Sequence, residues 1–525
     1  MPNLADHLYE RAATIGESCA LIFGARRSTF AELARDVAAL AGDLATLGIG
    51  PGIRVGLMVT ARPEFIVLQQ ALFALGAVVV PLNILYRRGE VAQVAESCEL
   101  HWLLLDGALA DRMPARDAVP GLQGVLLVEA EGVDLPPQDG WLRSLATIAG
   151  SGRPVAAPLD LPDDALGLML NTSATTGRAK GVMLGIGNVR ANYDPTPGWL
   201  GLDGRTVTLC ALPLYNTFAL NQCINALMVT GCTLVLLPRF DAEACLRAIH
   251  THRCTFFPAV PTMLQKMFDH PDAARYDLTS ISRIMTGGAP VPAALLERIQ
   301  AGMGSGVRVM TGYGLTEATA IVSIEHVELD AQGRVARPKC IGRVLPGIAW
   351  RVLREDGAEA APGEVGEICV RGPGVMQGYF RQPEETARAL RDGWLHTGDL
   401  GLIDADGHGF IVDRKKDVII RGGQNIYPAE VEEVIYRIPG VREVAVVAGP
   451  DDLLGEVPVA YVAGDPGAVT AEAVMALCRE ELAVFKVPAA VHFLPELPKG
   501  PTGKILRRGL RSAEAVAETV AETAR

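Results

Sequence analysis

The feature that most constrains the fold is an alternation of short apolar runs and helical patterns between Thr206 and Met310. The apolar runs are continuous rather than alternating, which predicts strands buried on both faces. Strands alternating with helices predict parallel crossovers, and therefore an α/β domain. The predicted strands are 207–212, 233–237, 255–257, 283–285 and 307–310, and the predicted helices are 219–229, 242–250, 262–269 and 292–301.

Polar, glycine-rich segments follow three of these predicted strands. They are PLYNT at 213–217, GGAP at 287–290 and GYGLTE at 312–317. Ligands of parallel α/β sheets bind in the crevice at the carboxyl ends of the strands. We therefore expect the three segments to lie together and to form a ligand site.

The pattern of apolar, turn-forming and charged residues changes twice in the second half of the chain. From Ile341 to about Gly378, turn signals separate short apolar runs, which predicts a small β subdomain. Charges then cluster in VDRKKDVIIRGG, just before a new α/β pattern, and we place a domain boundary near Asp413. The prediction is a large N-terminal domain of doubly wound α/β subdomains with a small α+β C-terminal domain. The predicted ranges are 1–412 for the N-terminal domain, with the β subdomain at about 341–412, and 417–525 for the C-terminal domain.

Length, charge and cysteine content limit the number of domains and the classes of function that the chain can have. A chain of 525 residues exceeds one hydrophobic core, so two or more domains are expected. The net charge of -12 argues against a general nucleic-acid binder, whereas a small polyanion needs only a local cluster of cations. Ten cysteines without a C-x-x-C pair indicate neither zinc nor a disulfide framework. No secretory signal or membrane span is predicted, and we expect a cytoplasmic protein with no nucleic-acid partner.

The stretch NTSATTGRAKGVML, residues 171–184, places hydroxyls beside a lysine and then turns apolar. It differs from the G-x-x-x-x-G-K-[ST] phosphate loop, which opens a helix, because Lys180 precedes a predicted strand. Two interpretations stay open on these residues alone. The stretch is either a polar turn, or a loop that holds phosphate through backbone amides and hydroxyls.

Eight motifs, in order along essentially the whole chain, resemble those of the adenylate-forming enzymes. This superfamily comprises acyl-CoA synthetases, peptide-synthetase adenylation domains and luciferases. The motifs are TSATTGRAKG at Thr172, PLY at Pro213, GGAP at Gly287, GYGLTE at Gly312, GEICVRGPGVMQGY at Gly366, WLHTGDLG at Trp394, DRKKDVIIRGGQNIYPAEVE at Asp413 and PKGPTGKI at Pro498.

The resemblance implies a site for ATP and Mg²⁺. Glu317 would hold Mg²⁺, Asp399 would accept the ribose hydroxyls, and Arg414 would lie near the ribose. The implied ligands of the β- and γ-phosphates are Thr172, Ser173, Thr175, Thr176, Gly177 and Lys180. The implied adenine site and its surroundings are Gly288, Ala289, Pro290, Tyr313, Gly314 and Thr316.

The resemblance also implies two half-reactions in one site. Lys504 of the small domain would reach the carboxylate and the α-phosphate during adenylation, where a cation stabilises the charge that develops on oxygen. The resemblance implies that the small domain is mobile and would then rotate about a hinge at 413–416, which includes Lys416. Gly422 and Gly423 would line the channel for coenzyme A, since a side chain there would obstruct its pantetheine arm.

The acyl pocket implied by the resemblance is apolar, which favours a medium- or long-chain fatty acid, with an aryl acid next. Asn216 stands where the family commonly has histidine, and because an amide is no cation, this argues against a malonate-type dicarboxylate. Ala174 and Ala179 replace the family's usual glycine and proline in the phosphate loop. The implied pocket residues are Tyr215, Asn216, Phe218, Leu220, Asn221, Ile321 and Val322.

Three functions remain to be compared. The first is an acyl-CoA ligase, which the glycine pair Gly422-Gly423 favours. The alternative is an adenylation enzyme that loads a separate acyl carrier protein, and the third is a non-catalytic binding protein, which Lys504 and Glu317 disfavour. A homodimer is compatible with each of them. We predict the acyl-CoA ligase.

Overall fold

The computed structural model describes residues 2–128, 139–172, 180–288, 291–303, 306–451, 453–464, 469–499 and 505–510. The architecture is mixed α/β, with a large N-terminal domain and a small C-terminal domain, as predicted. Within the described part of the chain, no helix combines the length and the apolar character that crossing a membrane requires.

An eight-stranded sheet, counted over the described residues, is built mainly from the first 185 residues. The apolar stretch 65–80 contributes a buried helix, Pro63–Ala74, that runs into the fully buried strand Val78–Pro81. The strands in spatial order are Gly378–Tyr379, Lys180–Gly185, Leu166–Thr172, Val78–Pro81, Arg54–Met58, Trp102–Asp106, Gly124–Val128 and Leu142–Ser144.

A second sheet has 14 strands among the described residues. Its central part is parallel, which confirms the prediction from the strand–helix alternation. The strands in spatial order are Ala349–Leu353, Gly366–Arg371, Trp394–Ile403, Gly409–Arg414, Cys340–Val344, Ile321–His326, Arg308–Gly314, Arg283–Thr286, Phe256–Ala259, Val207–Cys210, Thr233–Leu236, Cys19–Phe23 and Arg26–Thr29, with Leu390–Arg391 paired to Trp394–Ile403.

Helices cover these sheets close to the predicted positions, with one difference. The helix predicted at 219–229 contains a π-helical segment, Leu220–Asn225, between Thr217–Ala219 and Ala226–Thr230. The π-helical turn accompanies a buried Asn221 whose amide bonds to Asn192 and Thr196, a demand that apolar periodicity does not reveal. The other α-helices of the large domain are Asp6–Ile15, Phe30–Ala45, Arg88–Ser97, Ile186–Tyr193, Thr196–Trp199, Ala242–His252, Pro261–Phe268, Ala293–Met303 and Pro383–Ala389.

The predicted β subdomain is antiparallel and ends in the hairpin of Trp394–Ile403 with Gly409–Arg414. A 3-10 turn, Lys415–Asp417, follows directly, and the next strand begins at Ile419. The domain boundary near Asp413, and motion about it, remain predictions.

The C-terminal domain has a five-stranded sheet over its described residues. Its apolar core includes Ile419, Val434 and Val446, which are all buried. The strands are Gln424–Ile426, Ile419–Arg421, Gly455–Gly464 and Val441–Asp451 in spatial order, with Ala490–Phe493 paired to Gly455–Gly464. The helices are Pro428–Tyr436, Ala471–Glu481 and Arg507–Leu510.

Candidate active site

Tyr313, Asp399 and Arg414 form a first cluster of polar side chains. The Tyr313 hydroxyl donates to Oδ2 of the buried Asp399 at 2.5 Å, and Nε of Arg414 lies 2.5 Å from Oδ1. Asp399 and Arg414 are register partners in adjacent strands, which brings the carboxylate and the guanidinium together. Burial, and secondarily Asp399, raise the pKa of Tyr313 well above its ordinary value, so the phenol stays protonated and donates.

This cluster presents an acceptor-only carboxylate beside an aromatic ring. A carboxylate has about four acceptor positions, so Asp399 can accept sugar hydroxyls in addition to its two protein contacts. The backbone leads directly from Tyr313 to Gly314, where a Cβ would lie 2.0 Å from the Ala320 carbonyl oxygen, so a side chain has no room. The arrangement suits the ribose of a nucleotide.

Replacing Asp399 with Asn is expected to raise the KM for ATP about 10- to 100-fold, the worth of a charge-assisted hydrogen bond. The amide removes the negative charge that pairs with Arg414 and offers one acceptor oxygen instead of two. Initial rates of pyrophosphate release over a range of ATP concentrations measure this change. The exposed Asp406, in the turn that follows on the same hairpin, provides the control, and Asp406→Asn should leave the KM within about twofold. Equal KM values for the two variants would contradict the ribose assignment.

Lys180, Tyr379, Glu317 and Glu385 form a second cluster. The Lys180 ammonium lies 2.5 Å from Oε2 of Glu385 and 4.8 Å from the centre of the Tyr379 ring. The Tyr379 hydroxyl donates to Oε1 of Glu317 at 2.9 Å. Tyr379 therefore contacts both the ammonium and the Glu317 carboxylate.

Strand pairing explains how these distant residues meet. Lys180 lies opposite Thr172 in the antiparallel pair that flanks the predicted phosphate loop. The short strand Gly378–Tyr379 pairs with the Lys180–Gly185 strand, and the Met376 amide donates to the Glu317 carbonyl at 2.8 Å. Burial, then Glu317, raise the pKa of Tyr379, which keeps its hydroxyl a donor.

The second cluster fits a magnesium–triphosphate. Mg²⁺ is commonly bound by one or two carboxylates, with phosphate oxygens and water as its other ligands. Glu317, oriented by Tyr379, would supply one such carboxylate, and Lys180 would supply the cation for phosphate oxygens.

Several sequence-predicted residues lie outside the described residues, although their neighbours are described. Gly288, which precedes two of them, has φ +77°, a conformation that favours glycine. Ile505, which follows the predicted catalytic lysine, forms an antiparallel bridge with Lys499. The residues outside the described ranges are Ser173, Thr175, Thr176, Gly177, Ala289, Pro290 and Lys504, together with Ala174 and Ala179.

The predicted pocket residues divide into partly exposed and fully buried ones. Asn216 is partly buried, and its Oδ1 accepts from the Ala219 amide at 3.0 Å, so it caps the following helix. Leu220 and Val322 belong to the apolar core. Burial raises the pKa of Tyr215, and Phe218 is partly buried.

Asn192 joins the two sides of the predicted pocket. Its amide donates to the Ile321 carbonyl at 2.7 Å, and its Oδ1 accepts from Asn221 at 3.3 Å. The Asn221 amide also donates to Thr196 at 3.2 Å. The amide group of Asn221 therefore finds its hydrogen-bond partners within the protein.

Thr319 is a residue that sequence reasoning missed. Its φ is +71°, which is rare for a β-branched residue and is common near functional sites. Its hydroxyl donates to the Gly374 carbonyl at 2.6 Å, and its carbonyl accepts from the Thr217 hydroxyl at 2.5 Å. These bonds fix the backbone that links Glu317 to Ile321, and no sequence signal indicated them.

Gly422 and Gly423 form the turn between the strands Ile419–Arg421 and Gln424–Ile426. Their φ values are +55° and +84°, which two-residue hairpin turns require and which by themselves explain both glycines. A Cβ on Gly423 would meet no atom of the described chain within 4 Å, so this side of the turn offers room for a ligand. Lys416, the predicted hinge residue, lies in the 3-10 turn Lys415–Asp417.

Arg507 anchors the segment that follows the predicted catalytic lysine. Its guanidinium lies 2.7 Å from both oxygens of Glu432, 3.5 Å from Asp413 and 3.6 Å from Asp417. Burial raises the pKa of Glu432, while Arg507 opposes that shift. The anchor joins this segment to the predicted hinge, and it was not predicted from the sequence.

Comparison with known families gives two matches along the chain. A family described as AMP-binding enzyme matches residues 8–380, and the AMP-binding enzyme C-terminal domain matches residues 430–504. Both carry an AMP-binding description.

Individual proteins match over nearly the full length. A 3-[(3aS,4S,7aS)-7a-methyl-1,5-dioxo-octahydro-1H-inden-4-yl]propanoyl:CoA ligase of Mycobacterium tuberculosis is 38% identical, over 97% of this chain and 98% of its own. A long-chain-fatty-acid–CoA ligase of Bacillus subtilis is 33% identical, over 98% of this chain and 95% of its own. The structure of o-succinylbenzoate CoA synthetase from Bacillus subtilis, in complex with its acyl-adenylate, superposes with a TM-score of 0.83. It is 30% identical and covers 98% of this chain and 99% of its own.

Proposed function

Because the chain belongs to the AMP-binding enzyme family and is an acyl-CoA synthetase of the adenylate-forming superfamily, we propose that it activates a hydrophobic monocarboxylic acid. The acid attacks the α-phosphate of ATP to give acyl-AMP and pyrophosphate. The thiol of coenzyme A then attacks the acyl carbon, which releases AMP and forms the thioester. The observation that carries this proposal is the pair of clusters at Asp399 and at Lys180, which suit the two ends of one nucleotide.

The adenylation step needs cations near oxygen atoms that gain charge. Lys180 would neutralise the outgoing pyrophosphate, and Lys504 would stabilise charge at the carboxylate and the α-phosphate. Mg²⁺, when bound by Glu317, would neutralise phosphate charge and hold the triphosphate. Asp399 and Tyr313 would fix the ribose and adenine, so that the α-phosphate stays within reach of the acid.

Thioester formation is proposed to use the turn at Gly422 and Gly423. The open space beside Gly423 supports this role, because a thin pantetheine arm can pass only where no side chain projects. Rotation about Lys416 would replace Lys504 with this turn at the acyl-AMP. Lys504 would thus serve adenylation, the glycine turn would serve thioester formation, and the hinge at Lys416 would switch between them.

The proposed acid is apolar apart from its carboxylate. The buried Leu220, Ile321 and Val322 support this, and Asn216 places no cation for a second carboxylate at the pocket entrance. Medium- and long-chain fatty acids are our first candidates, and ring-bearing acids are second. The relatives support both, since one is named for a fatty acid and another for a bicyclic propanoate.

A panel of acids, assayed for pyrophosphate with and without coenzyme A, tests the proposal. The panel contains fatty acids of increasing length, an aryl acid, the bicyclic propanoate and malonate. We expect pyrophosphate release with at least one apolar acid, formation of its CoA thioester, and at least about 100-fold lower kcat/KM for malonate, because the second carboxylate is buried without a partner.

Two outcomes would overturn parts of this proposal. Pyrophosphate without acyl-CoA, together with transfer to an acyl carrier protein, would reassign the acceptor. No pyrophosphate with any acid would remove the catalytic assignment and favour a binding protein.

A further inference from the structure

Glu385 is a charged residue of the second cluster to which the proposed reaction gives no role. Its carboxylate is 27% exposed and lies 2.5 Å from the Lys180 ammonium, which is 18% exposed. The hydrogen bond from Lys180 is the largest influence on the pKa of Glu385 and lowers it, so the carboxylate is charged at neutral pH. A negative side chain thus contacts the cation that phosphate oxygens would need.

The position of Glu385 relative to Lys180 is fixed by a hydrogen bond to its helix and by strand pairing. Glu385 lies in the helix Pro383–Ala389, and the next residue, Thr386, accepts from the Tyr379 amide at 2.9 Å. Gly378 permits this approach, since a Cβ on it would lie 2.7 Å from the Thr386 methyl group. Because the strand Gly378–Tyr379 pairs with the strand that begins at Lys180, helix and lysine are held together.

We propose that the Glu385 carboxylate competes with nucleotide phosphate for the Lys180 ammonium and thereby weakens the binding of ATP and pyrophosphate. Either Lys180 leaves Glu385 when it binds a phosphate, or it keeps both anions and holds two negative groups at close range. In either case the free energy of phosphate binding becomes less favourable, so the presence of Glu385 weakens the binding. This inference rests on the proposed function, because it takes Lys180 as a phosphate ligand.

Arg388 makes the competition reversible. It forms an ion pair with Oε1 of Glu385, while Lys180 contacts Oε2. When Lys180 turns to a phosphate, Glu385 therefore retains one cationic partner. By the same logic, removing Arg388 would strengthen the hold of Glu385 on Lys180. Weaker binding of pyrophosphate would also speed its dissociation after each adenylation.

Calorimetric titration of the full-length enzyme with Mg–ATP, pyrophosphate and AMP tests the inference. Glu385→Gln should lower the Kd of ATP and of pyrophosphate about three- to fivefold, the worth of a partly exposed ion pair. AMP lacks the β- and γ-phosphates, so its Kd should not change. Glu384→Gln is the matched control, because Glu384 is 87% exposed and its ion pair is with Arg388 alone among the described residues. Because Glu384 contacts Arg388 and Lys180 contacts Glu385, the Kd values of this control should change less than those of Glu385→Gln.

A second variant separates this contact from general electrostatics. Arg388→Gln should raise the Kd of ATP about threefold in the wild-type background and leave it unchanged in the Glu385→Gln background. A similar loss in both backgrounds would mean that Arg388 acts through its charge alone, and would overturn the competition.

The remaining outcomes are equally decisive. Unchanged or weaker ATP binding by Glu385→Gln, or an equal change for AMP, would refute the role of Glu385 and leave the proposed function standing. Failure of the wild type to bind either ATP or AMP would instead refute the proposed function.

Discussion

Replacing Lys504 with Ala should lower the rate of adenylate formation about 100- to 1,000-fold, because a cation is lost where charge develops on oxygen. The same variant should keep most of its rate of thioester formation from supplied acyl-AMP, since the proposed rotation of the small domain takes Lys504 away from the acyl-AMP before that step. Pyrophosphate release measures the first rate, and acyl-CoA formation measures the second.

Lys499 provides the control for this prediction. It lies on the same segment, and its ammonium is paired with Glu443 and Glu496. Lys499→Ala should change either rate by no more than about twofold once equal folding is verified by thermal melting. An equal loss of both half-reactions in Lys504→Ala would contradict the division of labour between the two steps.

Replacing Gly423 with Leu should slow thioester formation at least tenfold, or raise the KM for coenzyme A about as much, because the side chain would project into the open space beside the turn. Pyrophosphate release in the first half-reaction should remain near the wild-type rate. The measurement is the rate of acyl-CoA formation from supplied acyl-AMP over a range of coenzyme A concentrations.

Gly423→Ala separates obstruction from backbone strain. The position has φ +84°, so any L-residue there costs about 1–2 kcal/mol, whatever its size. Alanine introduces this strain with little bulk, and its coenzyme A kinetics should stay close to those of glycine. If Ala and Leu had equal effects, or if coenzyme A saturation were unchanged in the Leu variant, the channel assignment would be wrong.

Much of the fold was predictable because it depends on local pattern. Continuous apolar runs are typical of strands buried on both faces, and those between Val207 and Met310 indeed form a parallel sheet. The strand Lys180–Gly185 and the small C-terminal domain were likewise predicted. The pairing of Gly378–Tyr379 with Lys180–Gly185 was not, since a two-residue strand has no periodicity to detect.

The residues proposed to bind the nucleotide were identified from the sequence for a different reason. Tyr313, Asp399 and Arg414 were named from motifs, and the structure brings them into one cluster. The π-helical segment Leu220–Asn225 and the positive φ of Thr319 were missed, because buried polar contacts over long sequence distances impose both.

The sequence by itself determined the family, the order of strands and helices along the chain, and the residue types available for binding phosphate and ribose. These follow from short-range patterns of apolar, glycine and charged residues. Only the tertiary structure decided which charges meet: Lys180 pairs with Glu385 across 205 positions, and Arg507 with Glu432 across 75. The partner of a lone charge depends on how distant strands and helices pack, and local sequence carries no record of that packing.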